Sequence, residues 1–95
     1  MPAYIVAEIE VQDPQTFEEY RRLAAASIAV HGGRYVVRGG PVETLEGSWT
    51  PQRIVILEFP STEHARSWWN SADYREAKAL RQTCSHAEFL LVQGV

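Results

Sequence analysis

An α+β fold is predicted, with strands and helices in the order β-α-β-β-α-β. Three features of the sequence carry that prediction. From Ala3 to Val11 every second residue is apolar, the period of a half-buried strand. Phe17, Tyr20, Leu23, Ala24 and Ile28 recur at three- and four-residue spacing, which is one face of a helix. The run Gly32-Gly33-Arg34-Tyr35-Val36-Val37-Arg38-Gly39-Gly40 brackets a short alternating segment with two pairs of glycines, so it ends one element and bends the next.

In the first strand Ala3, Ile5, Ala7, Ile9 and Val11 share one face, and Tyr4, Val6, Glu8 and Glu10 the other. Asp13-Pro14 starts the first helix: the aspartate can cap free backbone N–H groups, and proline suits the first helical position. Glu18, Glu19, Arg21 and Arg22 lie mostly off the apolar stripe. Gly32-Gly33 stops this helix, and His31 sits in its last turn, where positive charge is favoured. Arg34 to Arg38 is the second strand. Gly39-Gly40-Pro41 should bend or bulge it, and Val42 to Leu45 is expected to continue it. Glu46 to Pro51 is a turn-rich loop carrying Trp49. Arg53 to Phe59 is the third strand, apolar enough to be buried on both faces, and Pro60 ends it.

Ser61 caps a second helix, and Ala65, Trp68 and Trp69 give it an apolar side. Asn70 to Asp73 breaks or kinks it, with Ser71 able to cap a fresh start. Tyr74, Ala77, Leu80 and Cys84 follow at helical spacing. Ser85-His86 reads as a short turn and Ala87 to Gln93 as the last strand. This order defines a ferredoxin-like arrangement, a four-stranded antiparallel sheet with both helices on one face and the first and third strands central.

The 95 residues fit one domain, 1–95. A chain this short buries about 60–65% of the surface that its unfolded form exposes, so a second subunit or a bound partner would help it. The net charge is −3, and no segment gathers Lys and Arg into a stripe, which argues against nucleic acid. Cys84 is the one cysteine, which excludes an internal disulfide and disfavours a cysteine metal site. No apolar run reaches the roughly 18 residues of a membrane span. The amino terminus lacks a basic segment followed by an apolar core, so a cytoplasmic location is expected.

If Ile5, Ala7, Ile9, Tyr35, Val37, Val55, Leu57, Phe59, Phe89 and Leu91 point at the helices, the other face carries Tyr4, Val6, Glu8, Arg34, Val36, Arg38, Ile54, Ile56, Glu58, Leu90 and Val92. That face is too apolar to leave in water and bears charges of both signs. A self-complementary two-fold interface satisfies both facts. The expected interface residues are Glu8, Arg34, Arg38 and Glu58, with Arg38 paired to Glu8 or Glu58. Charges at wet strand ends are the structural alternative.

Asp13-Pro14, Tyr20, the run from His31 to Gly40, Leu45-Glu46-Gly47 with Trp49, Arg53 to Pro60, and Trp68 with Ser71, Asp73 and Tyr74 occur in one order. In these residues, over nearly its whole length, the chain resembles the domain of unknown function 1330 family of the dimeric α+β barrel superfamily. The resemblance implies a ferredoxin-like protomer, a sheet-to-sheet homodimer and, where a ligand is bound, a cavity between sheet and helices. It implies no activity. One departure is Ala72, where the family tends to have proline after the serine.

On that cavity, Tyr20, Arg38, Trp49, Arg53, Trp68 and Tyr74 are the candidate ligand-binding residues. His31, His64 and Arg53 are the candidate catalytic ones. Each has a structural reading beside the functional one. Tyr20, Trp68 and Tyr74 sit at core spacing, and His31 can serve as a helix-end charge. Trp49 either plugs a neighbouring surface or closes a cavity. The glycines follow a helix rather than lead into one, so they do not make a phosphate cradle. The histidines have no metal-ligand spacing, and no metal or cofactor is expected. Three readings of function follow: a small-molecule-binding homodimer; a cofactor-independent oxygenase or isomerase acting on a small aromatic or carbonyl compound; and a structural or regulatory dimer without a cavity. In the second, Arg38 or Arg53 would stabilise negative charge and His31 or His64 would move a proton.

Overall fold

The computed structural model describes residues 1–95. Its elements are β1 (Ala3–Val11), α1 (Pro14–Val30), β2 (Arg34–Arg38), β3 (Ile54–Phe59), α2 (Thr62–Trp69), α3 (Ala72–Cys84) and β4 (Ser85–Gln93). The strands form one antiparallel sheet in the order β2-β3-β1-β4, so β1 and β3 are central as expected.

Local chemistry sets the helix limits. The Asp13 carboxylate accepts from the Thr16 hydroxyl at 2.6 Å and from its backbone N–H at 3.4 Å, and Pro14 opens α1. At the other end Gly32 takes φ +78, and the Gly33 N–H reaches back to the Ile28 carbonyl at 2.9 Å. The second helix is broken rather than kinked. The Ser71 hydroxyl donates to the Trp68 carbonyl at 2.8 Å and accepts the Tyr74 N–H at 3.1 Å, closing α2 and starting α3. The helix layer therefore holds three helices rather than two.

Three boundaries differ from expectation. Residues 39–53 form an exposed irregular connection, so Val42 to Leu45 does not continue β2. β4 begins at Ser85, directly from α3, without the expected turn. The irregularity in β2 lies within the strand, not at Gly39-Gly40. Tyr35 stands opposite Leu57, yet Val37 stands opposite Ile56, so Val36 is an extra residue. An extra residue inverts the faces of all that follow it. Val37, expected inside, shares the outer face with Ile56. Arg38, expected outside, pairs with Val55 on the helix side.

The core lies between sheet and helices. Trp68, Tyr74, Phe59, Ile9 and Cys84 are its largest fully buried side chains. Trp68 stacks within 4.1 Å of Tyr74 and 5.5 Å of Phe59, ring centre to ring centre. Its indole N–H donates to the Ser27 hydroxyl at 3.0 Å, and that hydroxyl donates to the Ala24 carbonyl at 2.8 Å. The buried stripe of α3 is Tyr74, Ala77, Arg81 and Cys84, with Arg81 where Leu80 was expected. Arg81 is buried because Phe89 covers its guanidinium at 4.3 Å. Burial pushes the Cys84 thiol pKa up, as befits a core residue.

The outer face of the sheet carries a row that crosses all four strands: Val37, Ile56, Val6 and Leu90. Leu90 is 63% exposed at its end. Beside this row run Arg34, Glu58, Tyr4 and Val92, with Arg34 and Glu58 paired at 2.5 Å.

Candidate functional site

A cleft opens between the sheet and α1 where β2 and the start of β3 meet the helix. Strand alternation and register build its walls. Ile5, Ala7 and Ile9 of β1 face inward, as do Val55 and Leu57 of β3. Phe17 and Tyr20 come from the apolar stripe of α1. The volume of the cleft is about 20 Å³, enough for one water-sized group. The core rings have filled the rest.

The rim is cationic. Arg53 precedes β3, and its carbonyl accepts from the Ile9 N–H at 2.9 Å, which extends the pairing and turns its side chain inward with Ile9. Its guanidinium lies against Gly39: a Cβ there would stand 2.5 Å from Cζ. Gly39 also has φ +73, so both the backbone and this approach favour glycine. The Phe17 ring centre is 5.4 Å away on the helix side. Arg38 arrives by the inversion at Val36, with its guanidinium 4.2 Å from the Tyr35 ring centre. Arg21 of α1 completes the rim, paired with Glu18 at 2.8 Å. Arg38 and Arg53 make no ion pair. Burial, and then the charge of Arg21, lower the Arg53 pKa, with Glu18 opposing.

The two phenols of the cleft are acids held in their neutral form. Burial is the main cause of a strongly raised pKa for Tyr20, and the adjacent Tyr74 adds to it. Burial also raises Tyr35, with Arg38 opposing. The Tyr20 and Tyr74 hydroxyls share a hydrogen bond of 2.9 Å, and Tyr74 in turn accepts from Arg81 Nε at 3.5 Å. This chain runs from the cleft wall into the helix layer.

Of the expected site residues, the structure brings Tyr20, Arg38 and Arg53 to the cleft. Trp68 and Tyr74 lie behind its wall with no exposed surface, as core. Trp49 closes no cavity. It is 65% exposed, and its indole N–H donates to Glu8 at 3.1 Å, on the outer side of the sheet. His31 caps α1 and pairs with Asp73 at 3.1 Å, away from the cleft. His64 is exposed in the first turn of α2, with Nδ1 2.7 Å from the Ser61 hydroxyl. Glu8, Arg34 and Glu58 stand on the outer face. Arg38 does not, and the partner of Glu58 is Arg34. Arg21 and Tyr35 were not singled out as site residues. Tyr35 could have been found by its inward alternation, and Arg21 by its place beside Tyr20.

No group of three or more His, Cys, Asp or Glu side chains is placed to hold a metal ion. No helix is long and apolar enough to cross a membrane.

Fold and sheet order define a ferredoxin-like α+β protomer. The chain belongs to the DUF1330 family, described as a domain of unknown function, whose model matches residues 2–95. No curated protein matches it. Among solved structures it resembles RPA0582, a protein of unknown function from Rhodopseudomonas palustris. The two share 18% identity and a TM-score of 0.81, covering 99% of this chain and 82% of that one. A dimeric ferredoxin-like protein of unknown function from Jannaschia sp. CCS1 matches at 10% identity and TM-score 0.67, covering 99% and 100%. SnoaB, a cofactor-independent oxygenase from Streptomyces nogalater, matches at 15% identity and TM-score 0.65, covering 99% and 93%.

Proposed function

We propose that this protein is a homodimer that binds a small molecule at the mouth of the sheet–helix cleft. The observation that carries the reading is the cleft itself: an apolar throat open at one end, with charged side chains confined to its rim. That is the usual composition of a small-molecule site, at a volume far below the roughly 300 Å³ or more of ordinary ones. With a volume of about 20 Å³, the throat takes only a small apolar end of a ligand, and the rest lies at the rim. Binding is favoured over proton-transfer catalysis by the lining. Arginine stays protonated, and both phenols are shifted away from neutrality. Neither histidine lines the cleft.

A fragment screen followed by methyl NMR tests this. Binders are expected to shift the methyl signals of Ile5, Val55 and Leu57. Shifts confined to the outer face or to α2 would sink the reading.

The homodimer rests on the row Val37, Ile56, Val6 and Leu90, which is an apolar band across an otherwise uncovered sheet face. The dimeric description of the Jannaschia protein supports it. Light scattering is expected to give twice the 10.7 kDa of one chain. Val6→Lys, at the centre of the row, is expected to give a folded monomer, because each copy would place that charge against its mate. A wild-type monomer at micromolar concentration would end this part of the proposal.

A further inference from the structure

Three guanidiniums, Arg21, Arg38 and Arg53, meet at one end of a throat that has no acidic residue in its lining. Glu18 offsets one of them from outside, leaving two positive charges without a partner. Positive charges do not gather beside apolar surface for stability alone, since each repels the others and loses hydration. Arg53 shows this most clearly. Its Nε is buried and has no hydrogen-bond partner, the only such side-chain nitrogen or oxygen in the molecule. Buried donors are nearly always satisfied, so this orphan sets the Arg53 guanidinium apart as one that its packing alone does not account for.

Two departures from regular structure produce the cluster. The extra residue at Val36 brings Arg38 round to the helix side. Gly39, with its positive φ and no side chain, lets the Arg53 guanidinium lie flat against the backbone. Without the first, Arg38 would face the outside of the sheet. Without the second, the space that Arg53 occupies would be closed.

We infer that the ligand is a small monocarboxylate with a short apolar body, its carboxylate held by Arg38 and Arg53 and the methyl end of its tail in the throat. The inference rests on the cleft being the binding site and specifies what the cleft takes. A guanidinium presents a planar fork of donors that matches the two oxygens of a carboxylate. Those two oxygens are satisfied at the rim, and nothing polar is carried past it. Inorganic phosphate fits less well: its remaining oxygens would face Ile5, Val55 and Leu57. The throat accepts little more than a methyl-sized group, which keeps the body short.

The test is calorimetric titration at low salt with butanoate, its neutral isostere butanamide, and inorganic phosphate. Butanoate is expected to bind roughly tenfold or more tightly than butanamide, the difference of one charge-assisted contact. Arg53→Gln and Arg38→Gln are each expected to weaken butanoate between roughly tenfold and a hundredfold and to weaken butanamide less, so that the preference for butanoate shrinks. Arg38 is exposed and unpaired, so its variant keeps the fold if Arg53→Gln does not. Equal binding of butanoate and butanamide would overturn the carboxylate assignment and leave the cleft as a binding site. Tighter binding of phosphate would also overturn it. Binding of none of the three would overturn this inference, and methyl NMR with neutral aromatic fragments then decides whether the cleft reading falls with it.

Discussion

Trp68→Ala is expected to cost about 3–5 kcal/mol, the range for removing a fully buried tryptophan. The indole has no exposed surface and joins α2 to the rest of the core. It stacks on Tyr74 of α3, on Phe59 of β3 and, edge to face at 6.1 Å, on Trp69. These neighbours belong to different elements and cannot all collapse into the space left. A chain of this length has a total stability of about 5–14 kcal/mol, so the variant keeps little reserve. Urea unfolding followed by far-UV circular dichroism measures the difference. A shift below about 1 kcal/mol would mean that the core closes around the gap, contrary to the packing described.

The same side chain carries a polar obligation. Ser27→Ala leaves the Trp68 N–H buried with no acceptor, and about 1–3 kcal/mol is expected for that loss. Trp68→Phe removes the donor instead. Combining the two should cost less than their sum, because the second change removes a group that the first had orphaned. Strict additivity would show that the hydrogen bond contributes nothing beyond its neighbours.

What was legible in the sequence was local. The alternation of β1, the Asp13-Pro14 cap, the Gly32-Gly33 stop and the Ser71 restart each depend on residues within a few positions, and each stands where its residue types place it. The face that Arg38 takes was not legible. It is set by a one-residue offset between β2 and β3, and the extra residue is a valine with a negative φ that carries no mark. The glycines drew the eye three residues too far, to Gly39, whose role is to make room for Arg53. Arg81 was missed for a different reason. Hydropathy counts its charge and cannot see that Phe89 on β4 will lie over it. Trp49 is a third case: a loop aromatic has two surfaces within reach, and only tertiary placement selects the outer one.

Alternation alone puts Arg38 on the dimer face, although it is also a candidate for ligand binding beside Arg53. The Val36 offset separates assembly from ligand contact. Arg34, Glu58 and Glu8 stay on the outer face, and Arg38 joins Arg53 and Arg21 inside. Variants at Arg38 are therefore expected to act on binding and leave association untouched, which the calorimetric and light-scattering experiments together resolve.

Gly33→Ala is the second change expected to be severe, and packing is its cause. Gly33 has no positive φ, so its backbone would accept a side chain. The space would not. A Cβ there would stand 2.6 and 2.7 Å from two ring carbons of Phe59 and 2.8 Å from Ile28 Cγ2. Phe59 and Ile28 are 1% and 3% exposed, so neither can swing into solvent. A cost of about 2–3 kcal/mol follows, in the upper part of the overpacking range. Gly32 next to it is the reverse case. Its nearest neighbour, Pro60, is 3.7 Å away, but its φ of +78 is a conformation that costs about 1–2 kcal/mol with a side chain. Gly40 has neither constraint, and Gly40→Ala is expected to change stability by less than about 0.5 kcal/mol. Denaturant midpoints of the three alanine variants should fall in the order Gly33 lowest, then Gly32, then Gly40. Equal midpoints for Gly33→Ala and Gly40→Ala would remove the close seating of the motif on Phe59, and with it the reason that β2 begins where it does.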